Sequence, residues 1–174
     1  MKIVSWVDPL TNESLEETDT HLIHKDTKYP IINGVPKFVK ENSDDPQYDI
    51  EKCFSYQWTE SNFGQPDKFS DDDIKKDVIE TMDLTDDDLS LFNDKIVLDV
   101  GVGSGASSRL WAPRAKEFHG VDIGNGVYRA KNTLSNSVEN PILSHSDLHH
   151  LPYPDESFDA VSYTHLTLPT TPYV

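Results

Sequence analysis

Cysteine is nearly missing from this chain: Cys53 is the only one in 174 residues. A lone thiol excludes an intramolecular disulfide framework and any zinc site built on two or more thiolates. Long apolar runs are also missing, and none approaches the ~18 residues that a membrane span needs. The N-terminus, MKIVSWVDPL, has a short strand-like stretch soon followed by acids, which makes a poor signal peptide. Base is scarce: 15 Lys+Arg stand against 31 Asp+Glu, for a formal charge of -16 and a pI near 4.6. A general phosphate-backbone binder needs a basic face to displace counterions, so no nucleic-acid partner is expected. No membrane partner is expected either, and the expected location is cytoplasmic. What remains, 36% hydrophobic and 26% charged residues, suits a globular protein with one ordinary domain, or a small module plus part of a larger one.

The acid is uneven. Residues 1–40 carry a net charge of -1, residues 41–94 carry -13, and residues 95–174 carry -2. The middle block holds Asp71-Asp72-Asp73 and Asp86-Asp87-Asp88, which look like metal clusters. Each follows a helix-start signal instead. Ser70 precedes Asp73 by three residues and Thr85 precedes Asp88 by three, both Asp variants of the capping box. Phe69 with Ile74, and Leu84 with Leu89, fall at hydrophobic-staple positions. The pattern predicts helices over about 71–82, with Ile74, Val78 and Met82 on one face, and about 86–92. Acids in a first turn complement the helix dipole, so these clusters are structural.

Residues 1–40 are predicted to form a small β module. Lys2–Val7 and Thr20–Lys25 are strand candidates, and Asn33-Gly34 between Ile31-Ile32 and Phe38-Val39 is a hairpin signal. The string YPIINGVPKFV resembles the closing hairpin of the small zinc-ribbon-like Trm112p-like family. That resemblance implies a module that precedes a catalytic domain, but the CxxC pairs are absent here. His21 and His24 alone make an incomplete zinc site, so no metal is expected. The expected role is packing, or contact with a protein partner.

Residues 41–94 read as an acidic linker with helices and an aromatic cluster, Phe54-Ser55-Tyr56-Gln57-Trp58 and Phe63. Such a cluster docks onto a core, and Tyr56 or Trp58 is a candidate to close over a cofactor pocket. Cys53 is expected to be a buried small hydrophobe.

The informative chemistry begins at Lys95. Ile96-Val97-Leu98-Asp99 is a strand breaking into Val100-Gly101-Val102-Gly103-Ser104-Gly105, with a helix expected from Ala106 to Trp111, stopped by Pro113. That is the first βα unit of a doubly wound sheet. A second strand over Lys116–Val121 leads to Asp122, where a carboxylate can accept from both hydroxyls of a ribose. Both features are shared by dinucleotide sites, and Ala106 completes a G-x-G-x-x-A reading. Asp99 helps to separate the two. A carboxylate just before the glycines repels a pyrophosphate and attracts an ammonium, by on the order of 1–4 kcal/mol at ~4 Å. S-adenosylmethionine carries an amino-acid moiety and a sulfonium but no phosphate. A third strand near Pro141–Ser144 precedes Asp147 and Leu148, placed to read an adenine edge, and Phe158–Val161 starts a fourth.

VLDVGVGSG, HGVDIG and SDLHHLPYPDESFDAV resemble the successive motifs of class I S-adenosylmethionine-dependent methyltransferases, the type 11 group in particular, over residues 95–161. The resemblance implies an α/β, doubly wound, Rossmann-like sheet (its N-terminal half) and S-adenosyl-L-methionine as cofactor, with a small-molecule methyl acceptor. It implies that Asp99, Gly101, Gly103 and Gly105 line the methionine and sulfonium end. Asp122 would hold the ribose with Ile123 on the adenine face, and Asp147 and Leu148 would meet the adenine edge. No catalytic residue is assigned. His119 is expected to be packed, while His145, His149 and His150 flank the adenine-reading loop as candidates for a general base, with solvent exposure the expected state of a loop histidine pair. Methyl transfer from a sulfonium is mostly in-line positioning, and only some acceptors need a base.

The string VSYTHLTLPT, Val161–Thr170, continues the fourth strand for a residue or two and then loses family character. It resembles a translated sequencing adapter, so 162–174 is expected to be a non-native tail, with Val161 and Ser162 fitting the family pattern as well; a natural loop rich in Thr and Pro is the competing reading. A half sheet is expected to leave a raw edge and one uncovered face, and so to be poorly folded and inactive. Two other readings stay open: a nucleotide-dependent oxidoreductase, and a non-catalytic interaction protein.

Overall fold

The computed structural model describes residues 4–39, 52, 70–82, 84 and 86–163. The aromatic cluster around Tyr56 and Trp58, together with Cys53, Phe69, Thr85 and everything from Thr164 onward, lies outside the described residues.

Four short antiparallel strands form the first sheet, in chain order: β1 (Glu16–Glu17), β2 (His21–His24), β3 (Thr27–Ile32) and β4 (Val35–Pro36). Ile32 pairs with Val35 across a two-residue turn in which Asn33 has φ 50° and Gly34 φ 74°. Two positive values in succession are the backbone that the Asn-Gly pair predicts. His21 and His24 are three apart on β2, which turns them to opposite faces. They do not converge, and His24 instead meets Glu13 at 2.7 Å.

Helix α1 (Asp71–Met82) occupies its predicted span. Its capping box is closed in both directions: the Asp73 amide donates to Ser70 Oγ at 3.1 Å, and the Ser70 amide donates to Asp73 Oδ2 at 3.1 Å. Ile74 and Val78 are buried, with Met82 packed beside them. Ser70→Ala is expected to cost ~1 kcal/mol, the usual size of a lost cap. It should appear as a lower urea midpoint with an unchanged slope. The second predicted helix is a 3-10 segment, Asp86–Phe92, instead of an α-helix. Leu89 and Phe92 still reach the core.

The second sheet is parallel: β5 (Ile96–Val100), β6 (Glu117–Asp122), β7 (Ile142–His145) and β8 (Ala160–Ser162), in spatial order β7-β6-β5-β8. The chain builds outward from β5 through β6 to β7, then crosses to β5's other side. The order therefore reverses at β5, the topological switch point where open α/β sheets bind ligands. Between the strands run α2 (Ser108–Trp111) and α3 (Gly126–Leu134). Helix α2 is shorter than the predicted Ala106–Trp111. Ala106 and Ser107 belong to the turn that continues the glycine loop, and beyond Trp111 the chain tightens into a 3-10 turn, Ala112–Arg114, that contains Pro113. β8 is pinned in register by Asp159, whose amide donates to the Ile96 carbonyl and whose Oδ2 accepts from the Ile96 amide, both at 2.9 Å.

Alternation along the strands divides the core in two. Val97, Phe118 and Leu143 face α1, α2, α3 and the fully buried Trp111, which stacks on Phe92 at 4.4 Å. Leu98, Val100 and Val121 face the other way, and there the expectation of a bare face fails. That face is covered by the N-terminal module: Val4, Trp6, Leu22, Tyr29 and Phe38 pack on it together with Tyr153. Lys2–Val7 accordingly does not form the predicted strand over its described residues. The Val4 amide donates to Glu117 Oε1 and the Val7 amide to the Pro152 carbonyl, so its backbone is bonded to the sheet's side chains and loops, and only Val7 makes an isolated bridge, to Ser14. The module also lengthens the parallel sheet, because Lys37 bridges His145 in parallel and the Phe38 amide donates to the His145 carbonyl at 2.8 Å. Edge strand β7 is thereby partly covered. No helix among the described residues is long and apolar enough to cross a membrane.

Candidate functional site

The loop Gly101–Gly105 leaves β5 at the switch point with three glycines in the left-handed region: φ 82° at Gly101, 54° at Gly103 and 77° at Gly105. Two of them need glycine for different reasons. A Cβ on Gly105 would stand 3.0 Å from Leu134 Cγ and 3.3 Å from Ala130 Cβ, so this glycine lets the loop pack on α3. A Cβ on Gly101 would meet nothing within 4 Å. Its backbone faces open space, which is what close approach of a ligand requires.

Asp122, the last residue of β6, locks this loop. Its Oδ2 accepts from the Gly103 amide and its Oδ1 from the Gly124 amide, both at 2.7 Å. Burial pushes its carboxyl up to about 6, against the pull of those two amides. Asp99, the penultimate residue of β5, lies on the helix side of the sheet with its Oδ2 hydrogen-bonded to the Ser108 hydroxyl. Its other oxygen, Oδ1, is buried and makes no hydrogen bond. Ser162 is its register partner on β8, and the Ser162 hydroxyl lies near enough to act on it without closing a hydrogen bond. Burial pushes Asp99 up to about 7; the two hydroxyls oppose that, and the nearby Asp122 adds to it. A buried carboxylate oxygen without a donor is costly, and a cationic group is the partner that would satisfy it best.

Asp147 follows β7 by two residues. Its Oδ1 accepts from the His149 amide at 3.2 Å, and its Oδ2 lies 2.9 Å from His150 Nδ1. The carboxylate therefore shapes its own loop. Leu148 beside it is exposed, and Ile123 after β6 is half-buried. The sheet thus brings Asp99, Asp122 and Asp147 to the carboxyl ends of three adjacent strands, with the glycine loop at the first.

The histidines divide by surroundings. His119 is fully buried, 2.8 Å from Glu117 Oε1, with its ring edge-on to Tyr153 and Phe158. It is packed, as the sequence suggests. His145 is fully buried too, and both ring nitrogens are engaged, which removes it as a base. His149 and His150 are exposed and border a cleft of about 820 Å³, floored by Leu98, Val100, Tyr153 and Phe158 and including Leu148. Among the described residues no group of three or more His, Cys, Asp or Glu side chains could hold a metal ion. Sequence reasoning missed Ser108, Ser162 and Gly124. Ser108 had a signal, a hydroxyl at the start of the helix that the glycine loop feeds; the other two depend on pairing and loop closure.

Residues 98–170 match the family model described as "Methyltransferase domain". This stretch is similar in sequence to that domain. The match begins one residue before Asp99, includes every residue of the glycine loop and the two other acids, and runs on into the stretch after 162. Over 67 residues, 37% of the chain, the sequence is 37% identical to malonyl-[acyl-carrier protein] O-methyltransferase of Halorhodospira halophila. Those residues span 23% of that relative's length. The crystal structure of magnesium protoporphyrin IX methyltransferase from Synechocystis PCC 6803 with bound SAH aligns with a TM-score of 0.41 at 20% identity, over 62% of this chain and 54% of that one. Within the matched stretch Asp99 and Asp122 stand on β5 and β6, and Asp147 follows β7.

Proposed function

We propose that the glycine loop and the three strand-end acids bind S-adenosylmethionine, and that the protein to which this sheet belongs transfers its methyl group to a small-molecule acceptor. The observation that carries the reading is a left-handed glycine backbone facing open space at Gly101, beside a buried carboxylate, Asp99, with one oxygen unbonded. That pairing fits a cationic amino-acid end better than a pyrophosphate.

In this reading Asp99 and the amides of Gly101–Gly105 hold the methionine end. Asp122 holds the ribose through the outward lone pairs that Gly103 and Gly124 leave open. Ile123, Asp147 and Leu148 border the adenine. When bound, the cofactor supplies a methyl group on a positively charged sulfur. The chain's own contribution is to orient the reacting partners and to keep them in line. The acceptor is assigned to the cleft beside Leu148, where His149 and His150 at the rim are placed to take a proton from an acceptor that must lose one.

Calorimetric titration of the full chain with S-adenosylhomocysteine, and separately with NADH, tests the reading. The expected result is saturable binding of S-adenosylhomocysteine and none of NADH. Binding of NADH alone would transfer the site to the oxidoreductase class. Absence of both would remove the cofactor reading.

A further inference from the structure

His145 joins three parts of the molecule that are far apart in sequence. Its Nε2 lies 2.8 Å from the Ile123 carbonyl oxygen, which has only lone pairs to offer, so Nε2 carries the proton. Its Nδ1 then presents a lone pair, and the Tyr128 hydroxyl of α3 donates to it at 3.0 Å, with the two rings edge-on at 5.4 Å. Its backbone carbonyl accepts from the amides of Phe38 and Val39, at 2.8 and 3.3 Å. Its neighbour's amide, on Ser146, donates to the Asp122 carbonyl at 2.9 Å. One fully buried residue thus contacts the N-terminal module, the residue after the ribose-side acid, and the start of the loop that carries Asp147.

We propose that His145 is a positioning residue that couples the N-terminal β module to the adenosine end of the cofactor site. The inference rests on the cofactor reading above and goes beyond it, because it makes the module part of the binding device. The imidazole fixes where the chain turns after Asp122. The same residue is where the module attaches to the sheet edge. Docking of the module and ordering of residues 123–125 and 146–148 are then one event. By linkage, a ligand that orders the adenosine end tightens the module by the same factor.

The test pairs affinity with hydrogen exchange in the full chain, using S-adenosylhomocysteine as the probe. In the unmodified protein the ligand is expected to slow exchange of the Phe38 and Val39 amides, although neither belongs to the proposed site. His145→Leu keeps the apolar bulk but removes both ring hydrogen bonds, and is expected to weaken binding about tenfold and to abolish the ligand-dependent protection. His145→Gln, which can still donate to Ile123, is expected to recover affinity to within about threefold. Should His145→Leu not fold, Tyr128→Phe removes only the hydroxyl and is expected to weaken binding about threefold with little change in melting temperature. If the unmodified protein binds the ligand but these variants bind it equally well, the positioning role is overturned and the cofactor reading stands. If the unmodified protein does not bind it, the cofactor reading falls and this inference with it.

Discussion

Trp6→Ala is expected to destabilise the chain by about 3–5 kcal/mol, the usual range for deleting a buried large aromatic. Trp6 is 5% exposed, and its ring stacks on Tyr153 at 5.1 Å while meeting Phe38 at 6.0 Å and His119 at 6.3 Å. It is the point where the N-terminal module, β6 and the 151–158 loop share one apolar cluster. The loss therefore includes more than the area of one indole. A cavity there removes contacts from groups that cover the second face of the parallel sheet, and neighbours held by other bonds relax only partly. Trp6→Phe should cost roughly half as much, because an aromatic face remains to stack on Tyr153. Urea unfolding followed by circular dichroism measures both. A cost below about 1 kcal/mol for Trp6→Ala would mean that the module is not energetically part of the sheet's core.

Asp99→Asn is expected to make the protein more stable than the parent at pH 8 and equally stable near pH 4. The ordinary carboxyl value is 3.8, and burial raises Asp99 to about 7 in the folded chain. Between those values the folded state holds a proton that the unfolded state has released. The stability carried by neutral Asp99 is therefore complete below about pH 4, and it is lost as pH rises through about 7. The full displacement corresponds to at most about 4 kcal/mol. Asp122 adds a slope of the same sign up to about 6, so the parent's stability should fall across this whole interval. Asparagine has no proton to lose. It can still accept from Ser108 and can offer an N–H toward Ser162. Urea midpoints measured from pH 4 to pH 8 should show the two proteins diverging up to about pH 7 and keeping that separation above it. Parallel curves would mean that Asp99 is ionised throughout and is stabilised by something other than these hydroxyls. In the cofactor reading, a bound ammonium would draw Asp99 back to its ionised form, so binding should release a proton near neutral pH.

Several elements are legible in the amino-acid sequence itself. Helix α1 was readable because Ser70, Asp73, Ile74 and Val78 make start signal and apolar face agree. The Asn33-Gly34 turn was readable because positive φ at two successive residues suits few residue pairs. The succession of β5, β6 and β7 along the chain follows from apolar runs that lead into glycine or acid. Asp99, Asp122 and Asp147 could be placed at strand ends for the same reason.

Other features were not legible. Lys2–Val7 has the composition of a strand, yet Trp6 gains more by packing on Tyr153 and Phe38 than its segment would gain from a ladder. Nothing local records that exchange. The 86–92 segment has a helix-start pattern but becomes a 3-10 segment as Leu89 and Phe92 meet the core. His145 looked like one of three loop histidines, and its burial follows only from the meeting of β7, α3 and the N-terminal module.

The sequence by itself determined the elements whose signals are local: caps, tight turns, strand periodicity and the glycine loop, where backbone sterics act over a few residues. Only the tertiary structure decided how the module covers the second face of the sheet, which carboxylate oxygen is left without a donor, and which histidine is locked. Those outcomes depend on desolvation and on hydrogen-bond partners from distant segments. Both are properties of what surrounds a residue, and no stretch of sequence carries its own surroundings.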